Sequence, residues 1–290
     1  AYMFTGERPR TGDWRKELAR LVTSDRQFAR AAVNYLWAHF FTVGIVDPPD
    51  AWDLARLDPR NPPPAPWTLQ PSHPELLEAL ADEFIRSNYS VRRVLRLIVE
   101  SNAYQLSNRY EGEWRPEYAR YFAKHFPRRL SAEEIYDAVA QATLTETPMF
   151  VEGFDRPVFW ARQLPDPTEP RLDGGIRTFM NQFGRPDWWQ NKRSDETTVL
   201  QVLYLMNDNM VNFRTFNNNN NSRNTRVAWL MQSPGSDEDA VRHLFLATLG
   251  RYPTGPELQA VGRRRTPNRE QWLTDVQWVL LNKLDFLFNQ

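Results

Sequence analysis

A chain of 290 residues with 36 basic and 36 acidic side chains carries no net charge, which excludes a nucleic-acid or anionic-membrane partner held by bulk electrostatics. It has no cysteine, so it holds no disulfide, thiolate nucleophile, iron–sulfur cluster or covalently attached c-type haem. No apolar run reaches the ~18 residues needed to cross a bilayer, and with Ala1 first and no signal-like apolar segment the chain is expected to be a soluble piece, processed or excised.

In chain order, six sites pair a capping residue with Glu, Gln or Asp three positions later: Ser24/Gln27, Ser72/Glu75, Ser131/Glu134, Ser236/Asp239, Thr254/Glu257 and Asn268/Gln271. In such a box one side chain satisfies an orphan backbone N–H and the other reaches back, so each predicts a helix start. After Ser72 the residues Leu76, Leu77, Leu80, Ala81 and Phe84 recur at helical spacing, and after Ser90 the residues Val91, Val94, Leu95, Ile98 and Val99 do the same. The short "RSNYS" between them predicts an antiparallel helical hairpin.

Residues 47–71 are dense in proline, which removes donors and bends its predecessor out of the helical region, so an ordered or draped loop is expected there. The stretch 143–195 is rich in Pro and Gly and shows no sustained period, the usual mark of function or an interface. Apolar period returns over 197–216 and then stops in five consecutive Asn, so 217–225 reads as a flexible connection. From 226 to 290 the pattern is of three or four helices, with Gly250 as a C-cap.

Six blocks occur in a fixed order: "FARAAVNYLWAHFFTVGIV", "PSHPELLEALADEF", "LRLIVESNAYQLSN", "PRRLSAEEIYDAV", "RSDETTVLQVLYLMND" and "LFLATLGRYPTGPEL". Together they resemble the domain of unknown function at the C-terminal end of large exported, cytochrome-c-like proteins of planctomycetes and related bacteria. The resemblance implies export to the periplasm or cell exterior, beside haem-c or carbohydrate-binding modules. It brings no catalytic residues. Tyr35 stands where Arg is common in that family, Thr42 where Gly is usual, and Val199 where Pro is common.

The candidate sites each carry competing readings. Asn34, Trp37, His39 and His73 read as a structural corner bordering a binding surface; Asn34 and Trp37 share a helical face, whereas His39 points elsewhere. His39 with His73 is a candidate b-type haem or metal pair if the proline-rich loop folds back, against hydrogen-bonded structural histidines as the favoured reading. Asp47, Asp50 and Asp53 place hard oxygen ligands at every third position and are a candidate calcium site, against capping and solvated turns. Glu134 and Asp137 share a helical face as paired carboxylates, but the Ser131 box and the neighbouring Arg128 and Arg129 favour a structural role. Eleven tryptophans read mainly as packing, with Trp160, Trp188 and Trp189, outside any helical period, as the candidate contact surface. No Gly-x-Ser-x-Gly, His-Glu-x-x-His, P-loop or Gly-x-Gly-x-x-Gly motif occurs.

The expectation is therefore a mostly α, multi-helix protein: an N-terminal lobe over 1–142, an irregular aromatic- and Pro-rich segment over 143–195 and a C-terminal lobe over 196–290. The expected role is a non-catalytic scaffold or interaction module with no cofactor. It would bind a protein partner or another copy of itself, without nucleic acid and without membrane insertion. The competing readings are a hydrolase of extracellular polysaccharide, with Asp166, Asp173 or Asp187 in catalysis, and a haem- or metal-binding electron-transfer module.

Overall fold

The computed structural model describes residues 2–3, 5–185, 198–215 and 225–289. It is mostly helical; among the described residues the only strands are the two-residue Arg128–Arg129 and Phe288–Asn289, paired in one small sheet. No helix among them is long and apolar enough to cross a membrane. The chain divides into two compact units, residues 1–128 and residues 129–289.

The first unit is built on four helices: α1 (Trp14–Ser24), α2 (Arg26–Phe41), α3 (Pro74–Arg86) and α4 (Val91–Val99). Its core joins Val33, Trp37 and Phe41 of α2 to Leu77, Ala81 and Phe84 of α3 and to Val94 and Ile98 of α4, the stripes that helical spacing places on one face. The hairpin turn is closed by Asn88 and Tyr89, both in the left-handed region, and Ser90 caps α4 through the Arg93 N–H. Two expected caps are displaced. Asp25, not Ser24, caps α2 by accepting from the Gln27 N–H, while the Ser24 hydroxyl turns back to the Leu21 carbonyl. The α3 cap position is His73, because Pro74 starts the helix with fixed φ and no N–H to satisfy, and Ser72 donates instead to the Ile45 carbonyl.

The second unit comprises α5 (Ala132–Thr143), α6 (Gly174–Gln182), α7 (Val199–Asn207), α8 (Asn209–Thr215), α9 (Arg226–Gln232), α10 (Asp237–Leu249), α11 (Gly255–Arg263) and α12 (Arg269–Leu281). Reciprocal capping boxes at Ser131/Glu134, Ser236/Asp239 and Thr254/Glu257 start α5, α10 and α11, and Asn268 caps α12. Helix α5 is the spine, buried on most of its surface. One apolar cluster gathers Tyr136 and Val139 with Phe179, Met180, Phe183, Leu205 and Val211; a second gathers Leu230, Val241, Leu244, Phe245, Leu273 and Leu280. The last-turn carbonyls of α5 are satisfied from outside: Ala142 accepts from Gln277 at 2.7 Å and from Arg226 at 3.1 Å, and Gln141 accepts from Arg226 at 2.7 Å.

The stretch 143–185 is aperiodic in sequence, and α5 organises it by buried polar bonds. Asp137 accepts from the backbone N–H groups of Ala161 at 2.6 Å and Arg162 at 3.3 Å. Arg185 pairs with Glu133 at 3.1 Å and donates to the carbonyls of Glu169 and Asp166 at 2.6 and 2.7 Å.

Candidate functional site

A cleft of about 670 Å³ in the second unit lies between α11 and α12. Three pieces of local chemistry hold it open. Gly250, at φ +67°, ends α10 in the left-handed conformation that a Cβ disfavours, and the chain turns within four residues into the Thr254 cap of α11. Arg251 then forks onto both oxygens of Glu257 at 2.9 Å and reaches Asp285 at 2.8 Å, while Lys283 meets Glu257 at 2.6 Å. These bonds hold the Glu257 carboxyl far below the usual carboxylate range, with the Arg251 hydrogen bonds the largest cause.

At the other end of α11, Arg265 and Arg269 each approach Asp237 at 2.7 Å. The Arg265 guanidinium lies 4.9 Å over the Trp272 ring, whose indole N–H donates to the Val261 carbonyl at 3.3 Å. Helix α11 is thus pinned at both ends, and none of its residues is buried. The walls of the gap are Phe245, Val261, Trp272, Val276, Val279 and Leu280, with Glu257, Arg264, Asp275 and Lys283 around them. An apolar trough whose anion and cation, Glu257 and Lys283, neutralise each other can receive an apolar surface without stranding a charge.

A second hollow of about 530 Å³ lies in the first unit, walled by Leu76, Leu80, Leu97 and Ile98, with Trp37 at its floor and Glu83, Arg86 and Arg93 beside it. Trp37 is 4% exposed, stacks on Phe41 at 4.3 Å and has no hydrogen-bond partner for its indole N–H. Asn34, one turn earlier, is buried and bonds both polar groups of Val46 at 2.9 Å. His39 is exposed with its ring edge-on to Phe40, whereas His73 rests against Phe122 with Nδ1 3.1 Å from the Ser72 hydroxyl. Burial and Arg120 hold the His73 imidazole below its ordinary pKa.

Asp47, Asp50 and Asp53 are all exposed; Asp47 accepts from the Gly44 N–H and Asp53 caps the short turn Leu54–Arg56. No group of three or more His, Cys, Asp or Glu that could hold a metal ion occurs among the described residues. Glu134 closes the Ser131 box, and burial pushes the Asp137 carboxyl up against the lowering effect of its two backbone donors. Trp160 is half-buried beneath the Arg162 guanidinium at 5.1 Å, and its backbone N–H donates to Gln163 at 3.2 Å. Asp166 accepts from Thr168, and Asp173 caps α6. Trp188, Trp189 and Asp187 lie outside the described residues, as does most of the Asn-rich stretch 217–225. The α11/α12 cleft went unread in the sequence, where Val276, Val279 and Leu280 look like ordinary core positions.

Fold and cleft together define a multi-helix, mostly α protein with an apolar trough in its second unit. A family model described as "Protein of unknown function (DUF1553)", PSD1, matches residues 14–264, and the chain belongs to that family. The α12 wall of the cleft lies beyond the matched residues. No curated protein and no solved structure matches the chain.

Proposed function

We propose that the chain is a non-catalytic interaction module of an exported bacterial protein, and that the α11/α12 cleft seats an apolar surface of its partner. The observation that carries this reading is the cleft itself, walled by apolar side chains, with Glu257 answered by Lys283 and Arg251. The paired carboxylates of α5 support it too: Asp137 is spent on the backbone of Ala161 and Arg162, and Glu134 on the α5 cap. Export, and the company of cytochrome-c-like or carbohydrate-binding modules, rest on the resemblance of the six sequence blocks.

The test uses an environment-sensitive anilinonaphthalene dye and a panel of polysaccharides. The expected result is saturable dye uptake that Val279→Glu abolishes, with no turnover of any polysaccharide. Turnover lost on Asp166→Asn or Asp173→Asn, with dye uptake untouched by Val279→Glu, would overturn the reading in favour of a hydrolase. A Soret band that survives gel filtration and disappears on His73→Ala would overturn it in favour of electron transfer.

A further inference from the structure

Two backbone carbonyls and one imidazole share a single guanidinium in the second unit. Arg226, the first residue of α9, donates from Nε to the Ala142 carbonyl at 3.1 Å, from Nη2 to the Gln141 carbonyl at 2.7 Å and from Nη1 to His243 Nε2 of α10 at 3.1 Å. It thereby ties α9 to the last turn of α5, and a helix of seven residues holds little order on its own. Among the described residues no carboxylate pairs with Arg226, and burial alone lowers its pKa. The His243 ring also lies 4.8 Å from the Trp229 ring of α9.

We infer that this cluster is an acid-released latch: protonation of His243 detaches Arg226 from α5 and frees the first turn of α9, while the rest of the unit stays folded. The device is independent of the α11/α12 cleft. A guanidinium only donates and stays charged, so the bond at 3.1 Å exists only while Nε2 is unprotonated. An added proton turns that acceptor into a second donor and sets two cations against each other at hydrogen-bond distance. Arg226 is the side chain that gives way, because the imidazolium gains the face of Trp229, whereas the carbonyls that Arg226 leaves are served from elsewhere. Ala142 keeps its bond from Gln277 of α12 at 2.7 Å, and Gln141 is exposed to water. Release therefore parts α9 from α5 without parting α5 from α12. Among the described residues Arg226 is the charge that bears on His243. On α10 itself Asp239 is held by Ser236 and Arg242 by Glu238. On the helices packed against α10 the charges are likewise engaged: Arg269 with Asp237, Asp275 with Gln271, Glu257 with Arg251, Glu133 with Arg185 and Asp137 with the Ala161 N–H.

Hydrogen exchange followed by NMR on the 290-residue chain tests the latch. Corrected for intrinsic rates, exchange of the Arg226 Nε–H and of the Trp229 amide, which donates to the Thr225 carbonyl, should rise ~10-fold or more from about pH 7.5 to about pH 5. The rise should follow the titration of the His243 imidazole in the same sample, while the amides of Leu244 in α10 and Leu280 in α12 stay protected. His243→Gln, whose carboxamide oxygen still accepts from Arg226 but takes up no proton, should keep α9 closed throughout. Flat exchange across a range in which His243 has titrated, a rise that follows His39, His73 or His125 instead, or joint loss of protection in α12 overturns the inference. So does an α9 that opens in acid equally in the His243→Gln chain. Should that variant fail to fold, the coincidence of the α9 and His243 midpoints in the native chain decides alone.

Discussion

Asn34 and Val46 exchange two hydrogen bonds, the carboxamide N–H to the Val46 carbonyl and the Val46 N–H to the carboxamide oxygen, both at 2.9 Å and both buried. The side chain of α2 thereby pins the bent chain that follows the helix. Gly44 is required between them, since a Cβ there would lie 2.2 Å from the Val46 carbonyl oxygen and 3.1 Å from Asn34 Oδ1. Asn34→Ala removes one partner from each of two buried backbone groups, and each such orphan costs about 1–3 kcal/mol. A loss of roughly 2–4 kcal/mol in urea unfolding is expected.

Thr42 ends α2 at φ +63°, a conformation in which a β-branched side chain crowds the backbone. The resemblance marks this position as one where Gly is usual, and the dihedral supplies the reason. Thr42→Gly relieves that crowding at some entropic cost in the unfolded chain. A net gain of about 0.5–1 kcal/mol, seen as a raised melting temperature, is expected.

Trp37 separates packing from hydrogen bonding. Its ring is buried against Phe41 and Phe122, and its indole N–H has no partner. Truncation to Ala leaves a large cavity and is expected to cost ~3–5 kcal/mol. Trp37→Phe loses some of the same packing but removes the orphan donor, so its cost should stay below about 1.5 kcal/mol. Chemical denaturation of the two variants side by side checks the difference.

Signals that act within a few residues were legible in the sequence. The boxes at Ser131, Ser236 and Thr254 and the cap at Asn268 need only neighbours three positions away, and all four helices start there. Asp25 and His73 displaced Ser24 and Ser72 because the competitors stand one residue further on, where local rules barely discriminate. Helix α6 went unread because two glycines open it and only Ile176, Phe179 and Met180 mark its buried face. The cleft was illegible for a different reason: the pairs that fix α11 beside it, Glu257 with Lys283 and Asp237 with Arg265, lie apart in sequence.

Each unit contains a histidine whose pKa burial lowers. His73 and His243 both sit below the ordinary imidazole pKa, first from burial and then from the Arg120 and Arg226 charges beside them. Arg226 can only donate, so the His243 Nε2 at 3.1 Å is the acceptor and must be unprotonated. In the unfolded chain both rings titrate near ~6.5. Below that value the unfolded state binds more protons than the folded one, so stability is full above it and declines as the pH falls toward the lower folded values. His73→Asn and His243→Asn should each remove part of that decline as the pH falls below about 6.5, read as the pH dependence of the melting temperature.

The pair Glu133 and Arg185 makes the sharpest energetic prediction. Arg185 is nearly solvent-free and holds three acceptors at once: the Glu133 carboxylate and the carbonyls of Glu169 and Asp166. Arg185→Leu leaves a buried carboxylate and the buried Glu169 carbonyl with a donor removed, and is expected to cost at least about 3–5 kcal/mol. Glu133→Leu removes the countercharge but leaves the guanidinium its two carbonyl acceptors, so its penalty should be smaller. In many proteins the doubly apolar variant of a buried ion pair recovers full stability. Here Glu133→Leu/Arg185→Leu should recover only in part, because the buried Glu169 carbonyl has still lost its Arg185 donor. Urea unfolding of the three variants should therefore rank Arg185→Leu as the most damaging and the double variant above it but below the native chain. Full recovery in the double variant would mean that Arg185 serves Glu133 alone and does not tie 166–169 to α5.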